Sequence, residues 1–517
     1  MKKLLLILSI FLVGSCTDLE VIPKDSLLEG VVFTSEENYT GYLAKIYASF
    51  SLTGQQGPAG DTDLNIISDE GFTSYIRSYW KAQELTTDEA VIAWADAGVQ
   101  DLHNHVWSSE NQFIRVLYYR IMYSVALAND FLRVSSDDAL ETNGISEDFK
   151  PTIRGYQAEA RFLRALAYYH AIDLYRNIPL ITAVSTELPR QATSQQMFDF
   201  LISELNDIES FLPEPRSGDY GRADKAAVWM LRAKLYLNSE VYIGSSMYAE
   251  CLTEVEKVLA AGYGLSTDYG LNFRADNHLS PELIFTFPAD GVQSQSWGTT
   301  SFLVHGSIGG SMTDTDYGVV NGWAGMRTTS TFVSKFDDIT GATDSRAIFY
   351  TDGQTLEIAE LTEFTEGYAV PKFTNLDSNG LAGANNTHVD TDYPVFRLAD
   401  VYLMYAECFL RNGGGDATTA LGYVNELRER AYGDMTGNIT SSDLTLDFIL
   451  DERSRELYWE GHRRQDLVRF ESFTTAGIWP WKGGVAEGKV TGIHRNIFPI
   501  PASDLTANPK LDQNDGY

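Results

Sequence analysis

The sequence predicts a mainly α-helical protein: a scaffold of paired, tetratricopeptide-like (TPR-like) helices with a few short strands and one loop-rich, irregular insertion. Three observations carry that expectation. The stretch 157–175 places Ala158, Phe162, Ala165, Tyr169 and Ile172 at i, i+4, i+7, i+11 and i+14, one face of a helix. Leu163, Leu166 and Ala167 widen that surface beyond a single stripe, so the helix needs partners on two sides. The same mix of small and aromatic residues recurs in predicted helices at 225–242, 396–411 and 420–431. No clean period of about 34 residues survives, so the repeats are degenerate.

The N-terminus comes first in order. Met1-Lys-Lys, an apolar run from 4 to 13 and Gly14-Ser15-Cys16 read as an export signal over 1–15. The run is too short to span a bilayer. Cys16 directly after small residues is similar to a lipoprotein processing site, which makes it the acylated first residue of a tether over 16–35. Acyl chains at about 0.8 kcal/mol per buried CH₂ would anchor it.

Residues 36–517 then read as one domain. Helices are predicted at 36–50, 111–133 and 197–212, the last followed by the capping turn Tyr220-Gly-Arg-Ala-Asp224. From 262 to about 392 helical period disappears in favour of Gly, Ser, Thr and aromatics, with a strand within 282–287. Irregular loops on a rigid scaffold are where binding residues sit. The block 450–469 is dense in Glu and Arg and reads as a lattice of local and interhelix ion pairs rather than as catalysis. Cys251 and Cys408 lie inside helical apolar patterns and read as buried thiols, with a disulfide between them left open.

A net charge of −32 over 517 residues argues against nucleic acid, whose phosphates need Lys and Arg clusters. No Walker loop, nucleophile elbow, His-Glu-x-x-His or Cys-x-x-Cys occurs. His103 and His105 lack a third ligand and make a poor metal site. No cofactor is expected, and the acidic loops leave a structural calcium open. What stands out is tryptophan in Gly-flanked loops: Trp94 before Asp96-Ala-Gly98, Trp297 before Gly298, and Trp323 in Asn321-Gly-Trp-Ala-Gly325. Indole faces suit the C–H faces of pyranose rings, and Asp, Asn and Arg suit their hydroxyls.

Taken together, several blocks resemble the SusD/RagB family, surface glycan-binding lipoproteins of Bacteroidetes. They are Cys16-Thr-Asp-Leu, Glu159-Ala-Arg-Phe-Leu-Arg-Ala-Leu-Ala-Tyr168, Gly221-Arg-Ala-Asp-Lys-Ala-Ala227, Arg397-Leu-Ala-Asp-Val-Tyr-Leu403, the 452–469 run and the tail Pro499-Ile-Pro. The resemblance implies a SusD-like TPR-based fold, no enzymatic activity, and lipid-anchored display on the outer membrane. It also implies a SusC-like TonB-dependent transporter as partner. Starch-binding members are the most similar, through Glu84-Leu85, Thr87-Asp-Glu89, the Asn321-Gly-Trp323 loop and Trp479-Pro-Trp-Lys-Gly-Gly484. It implies that Trp94, Trp297 and Trp323 stack on an α-glucan while Arg77 and Asp69 grip hydroxyls, with Asn321 and Asp96 beside them. Ala97 stands near a position where those members use Asn, a departure that implies either Asp96 as the replacement hydrogen bond or a differently seated sugar. Other glycans, laminarin among them, and a TPR-type peptide ligand stay as alternatives.

Overall fold

Apolar periodicity becomes a set of packed helices in a computed structural model that describes residues 32–58, 62–66 and 70–517. In chain order the longer helices are α1 (Glu36–Ser51), α2 (Tyr75–Gln83), α3 (Gln112–Val134), α4 (Lys150–Leu174), α5 (Ser194–Ile208), α6 (Lys225–Leu237), α7 (Tyr248–Leu259), α8 (Thr299–Gly306), α9 (Leu398–Leu410), α10 (Ala417–Tyr432), α11 (Leu446–Leu457) and α12 (Arg463–Arg469). The strands are β1 (Val91–Ile92), β2 (Leu283–Phe287), β3 (Met326–Arg327) and β4 (Tyr393–Arg397). The predicted signal (1–15), Cys16 and most of the tether lie outside the described residues.

α4 holds the centre. It packs on α3 and α5 on either side and on α1, and every residue from Phe162 to Leu174 is buried. Burying each large side chain is worth about 1.5–3 kcal/mol. α6 packs on α7, α7 on α9 and α9 on α10, so the pairing continues through the chain. One apolar cluster runs from Phe33 to Leu511. Caps mark the helix starts: Asn111 accepts from the Phe113 and Ile114 N–H groups, Thr193 and Gln196 form a capping box, and Asp224 accepts from Ala227 N–H as its turn predicts.

The structure departs from the sequence expectation at several places, among them the helix expected over 197–212, which runs Ser194–Ile208 and ends in a short 3₁₀ turn, Glu209–Phe211. The helix expected over 225–242 breaks at Asn238, whose φ/ψ of −99°/7° is non-helical, and a short helix Ser239–Ile243 follows. The helix expected from 396 starts at Leu398, because Phe396 is opposite Phe285 in the antiparallel β2–β4 ladder and Arg397 is extended. The 262–392 insertion contains α8. All eight of its residues are buried, and a helix buried all round carries no amphipathic period to find.

The Glu/Arg block forms the expected lattice of local and interhelix ion pairs, and that lattice is buried. Arg397 pairs with Glu282, Glu456 and Glu460, Arg346 with Asp344, Glu452 and Glu456, Arg453 with Asp400 and Asp466, and Arg463 with Asp88. The local pairs Glu452–Arg455 and Asp466–Arg469 are present, but most partners come from elsewhere in the chain. Cys251 and Cys408 are buried free thiols; burial, then the neighbouring Cys408 thiol, pushes the Cys251 thiol up. His103 and His105 are buried and held at about 3 by desolvation. Among the described residues no group of three or more His, Cys, Asp or Glu side chains is placed to hold a metal ion, and no helix is long and apolar enough to cross a membrane.

Candidate functional site

A two-residue ribbon sets the site. β1 pairs antiparallel with β3, Val91 opposite Arg327 and Ile92 opposite Met326, and the ladder continues as Ala93 N–H donates to Gly325 O at 2.8 Å. That register brings Trp94 alongside the loop before β3. Trp94 Nε1–H donates to Trp323 O at 3.0 Å, and the two indole centroids are 6.2 Å apart at 48°. Gly325 lies under the Trp94 ring, where a Cβ would stand 2.6 Å from Cε2 and Cζ2.

α8 supplies the other two anchors. Trp323 N–H donates to His305 O, Ala324 N–H to Ile308 O and Gly325 N–H to Gly306 O, pinning the loop to the C-terminal end of the helix. Trp297 sits just before its N-terminal end. There Arg77 Nη1–H donates to Trp297 O at 3.1 Å, and Ser296 Oγ–H to Ser51 O at 3.1 Å. Trp297 and Trp323 centroids are 5.9 Å apart at 53°. Asn321, Ala324 and Thr299 take φ of 60°, 47° and 45° around these turns, the left-handed region that non-glycine residues enter at a cost.

The result is a cleft of about 330 Å³ lined by Phe72, Arg77, Trp94, Asp96, Trp297 and Trp323. The three tryptophans are half-buried, each leaving ring surface to the cleft. Arg77 is 4% exposed and lies within 4.6–5.8 Å of the Phe72, Phe302, Trp94 and Trp323 rings, a cation against electron-rich faces. Behind the platforms stand two histidines: His305 stacks on Trp323 at 4.9 Å and 16°, and His388 meets Trp297 at 4.4 Å and 56°. Burial lowers both imidazoles, against the raising effect of carbonyls of Asn321 and Thr387 at His305 and of Ser296 at His388.

Of the residues expected from sequence, Trp94, Trp297, Trp323, Arg77 and Asp96 converge here. Asn321 is exposed and does not line the cleft; its carbonyl faces His305 Nδ1 at 3.1 Å. Ala97 is exposed at the loop beyond, its carbonyl taken by Gln112. Asp69 and Cys16 lie outside the described residues. Trp479 and Trp481, matched above to starch-binding members, are elsewhere: Trp479 packs on His105 and Phe473, and Trp481 Nε1–H donates to Ile358 O. Sequence reasoning missed Phe72, although its Gly71 neighbour is the same signal that marked the tryptophans. It also missed His305 and His388, which carry no local mark.

The fold and site define a helical scaffold protein presenting a preformed, ring-lined cleft on loops. The chain belongs to the SusD family: it is 34% identical to the starch-binding protein SusD of Bacteroides thetaiotaomicron over 98% of this chain and 96% of that one. Residues 323–517 match the family described as "SusD family" and residues 66–237 the one described as "Starch-binding associating with outer membrane". Among solved structures, a SusD superfamily protein from Parabacteroides distasonis superposes with a TM-score of 0.71 at 22% identity, covering 93% of this chain and 99% of that one. Surface glycan-binding protein A from Bacteroides thetaiotaomicron, in complex with laminarihexaose, gives 0.69 at 19%, with 93% and 99% covered.

Proposed function

We propose that the protein is a non-catalytic receptor for α-glucan, starch or its oligosaccharides, and passes them to a SusC-like TonB-dependent transporter. In this reading acyl chains on Cys16 hold it on the outer membrane, facing outward. The observation that carries it is the ring geometry. Successive indoles turned by 48° and 53° at about 6 Å make a curved wall, which suits a curved glycan better than a flat one. Arg77 and Asp96 stand in that wall to meet hydroxyls, and a preformed surface spares ordering cost. Similarity to a starch-binding relative supports the same ligand.

A β-glucan is the second reading, favoured by Ala97 where the starch binders use Asn and by the laminarihexaose complex of a structural neighbour. Affinity electrophoresis of the protein lacking residues 1–16, through gels with starch, pullulan, laminarin or no glycan, separates them. Retardation by starch and pullulan supports the proposal. Retardation by laminarin alone replaces the ligand, and none at all moves the ligand class toward peptide.

A further inference from the structure

The three platforms are not held by their own loops alone. His305, 1% exposed, presents Nδ1 to the Asn321 carbonyl at 3.1 Å and Nε2 to the Thr387 carbonyl at 2.9 Å. Asn321 begins the loop that carries Trp323. Thr387 precedes His388, whose ring lies on Trp297 and whose Nδ1 is 3.2 Å from the Ser296 carbonyl, one residue before Trp297. One imidazole therefore bridges the backbone segments behind two of the three indoles, and its own face is stacked on Trp323.

A neutral imidazole carries one N–H, and here both ring nitrogens face acceptors. In that state one carbonyl meets a ring lone pair, and one side of the bridge is repulsive. The imidazolium donates on both sides. We infer that His305 is a positioning residue of the cleft, and that its protonation closes the bridge between the Trp323 loop and the segment backing Trp297, tightening the grip on ligand. This rests on the carbohydrate reading for the ligand, though not for the bridge itself.

The groups around it set the balance. Burial opposes the cation most, and both carbonyls favour it; His388 opposes it and the Asp314 carboxylate favours it. Asp314 Oδ2 also accepts from Gly322 N–H at 3.1 Å, tying it to the same loop. The Arg77 guanidinium carbon is also 5.8 Å from the Trp323 ring centroid. The bridge therefore closes below the ordinary imidazole range. Since the protonated form binds better, bound ligand must in turn raise the affinity of His305 for its proton.

Nitrogen-15 NMR of the histidine-labelled protein follows both ring nitrogens of His305 from about pH 7.5 to about pH 4.5, without ligand and with maltoheptaose or laminarihexaose. The protein's eight histidines keep assignment tractable. We expect two N–H groups on the protonated ring, a titration midpoint raised by the oligosaccharide that binds, and about tenfold tighter binding on acidification, the low end of one charge-assisted hydrogen bond. In His305→Gln that pH dependence is lost. His305 resisting protonation throughout, or the same affinity profile in wild type and His305→Gln, overturns the inference. If neither oligosaccharide binds at any pH the carbohydrate reading fails, and the bridge is judged by tryptophan emission. Quenching by the imidazolium on Trp323, absent from His305→Gln, supports it; an emission profile equal in both refutes it.

Discussion

Trp323 is the residue on which the cleft turns. It touches Trp94, Trp297 and His305, and its carbonyl takes the Trp94 indole proton. A central aromatic anchor contributes more than its neighbours. Trp323→Ala should cost roughly 2 kcal/mol of glycan affinity, about thirtyfold, with the melting temperature little changed because the ring is half-buried; calorimetric titration with maltoheptaose and a thermal melt check both halves. Gly325 makes a sharper test, because it removes nothing from the ligand's side. A methyl there meets the indole of Trp94 at 2.6 Å, and the ring has no flexible end to swing away. Gly325→Ala should weaken oligosaccharide binding several-fold while leaving far-ultraviolet circular dichroism unchanged. Equal affinity to wild type would show that the tilt of Trp94 does not matter.

At the scale of elements, helices are placed by two different means. α4 is held by apolar burial on its neighbours, legible in its spacing. α11 and α12 are held by charge: Glu452, Arg453, Glu456, Arg463, Asp466 and Arg469 are all buried. Arg397 is the hub, tying β4 to Glu282 before β2 and to Glu456 and Glu460 at the end of α11. The carboxylates pull its guanidinium well above the usual arginine range against the cost of burial. Removing Arg397 leaves three buried carboxylates with one cation fewer, although Arg430 still reaches Glu282 and Glu456 and Lys372 still reaches Glu460; breaking a buried pair costs about 3–5 kcal/mol. Arg397→Met should therefore lower the thermal midpoint markedly, and differential scanning calorimetry reads the drop. A midpoint unchanged from wild type would mean that Arg430, Arg346 and Lys372 suffice to neutralise these carboxylates.

For the whole molecule, the joint between the Trp94 arm and the C-terminal block is a pair of buried carboxyls. Glu84 accepts from Gly461 N–H at 2.6 Å, and Glu89 accepts from Ser454 Oγ–H at 2.6 Å. Burial raises both, Glu89 to about 7, with each affecting the other and Arg463 drawing Glu89 back. Unfolded, such groups titrate near about 4.3. Between those values the folded chain keeps a proton that the unfolded chain has released, so stability falls as pH rises through that window and levels off above it. Asp88 and Asp466, held at about 2 once their Arg partners outweigh burial, act in reverse: their contribution is complete above about 4 and is lost as pH falls toward 2. Glu89→Gln should flatten the decline in melting temperature between about pH 5 and about pH 8, and an unchanged slope would remove the pair from the account.

The sequence by itself determined the helical scaffold, the kinship to the SusD family and the identity of the rings. Scaffold and rings rest on local spacing or composition: the period through Ala158, Phe162 and Tyr169, the cap at Asp224, and glycines beside Trp94, Trp297 and Trp323; the kinship rests on the resemblance of whole blocks, Glu159 to Tyr168 among them. Tertiary structure alone decided which of nine tryptophans meet. Trp80, Trp107 and Trp459 are core, and Trp479, with the same glycine-rich neighbourhood, packs on His105. Trp94 and Trp323 are 229 residues apart and adjacent because a two-residue ribbon fixes their register. The same holds for Phe72 and for His305 behind the indoles. A residue that acts by what it touches across such a separation leaves no periodicity, since its partners are chosen by packing rather than by spacing along the chain.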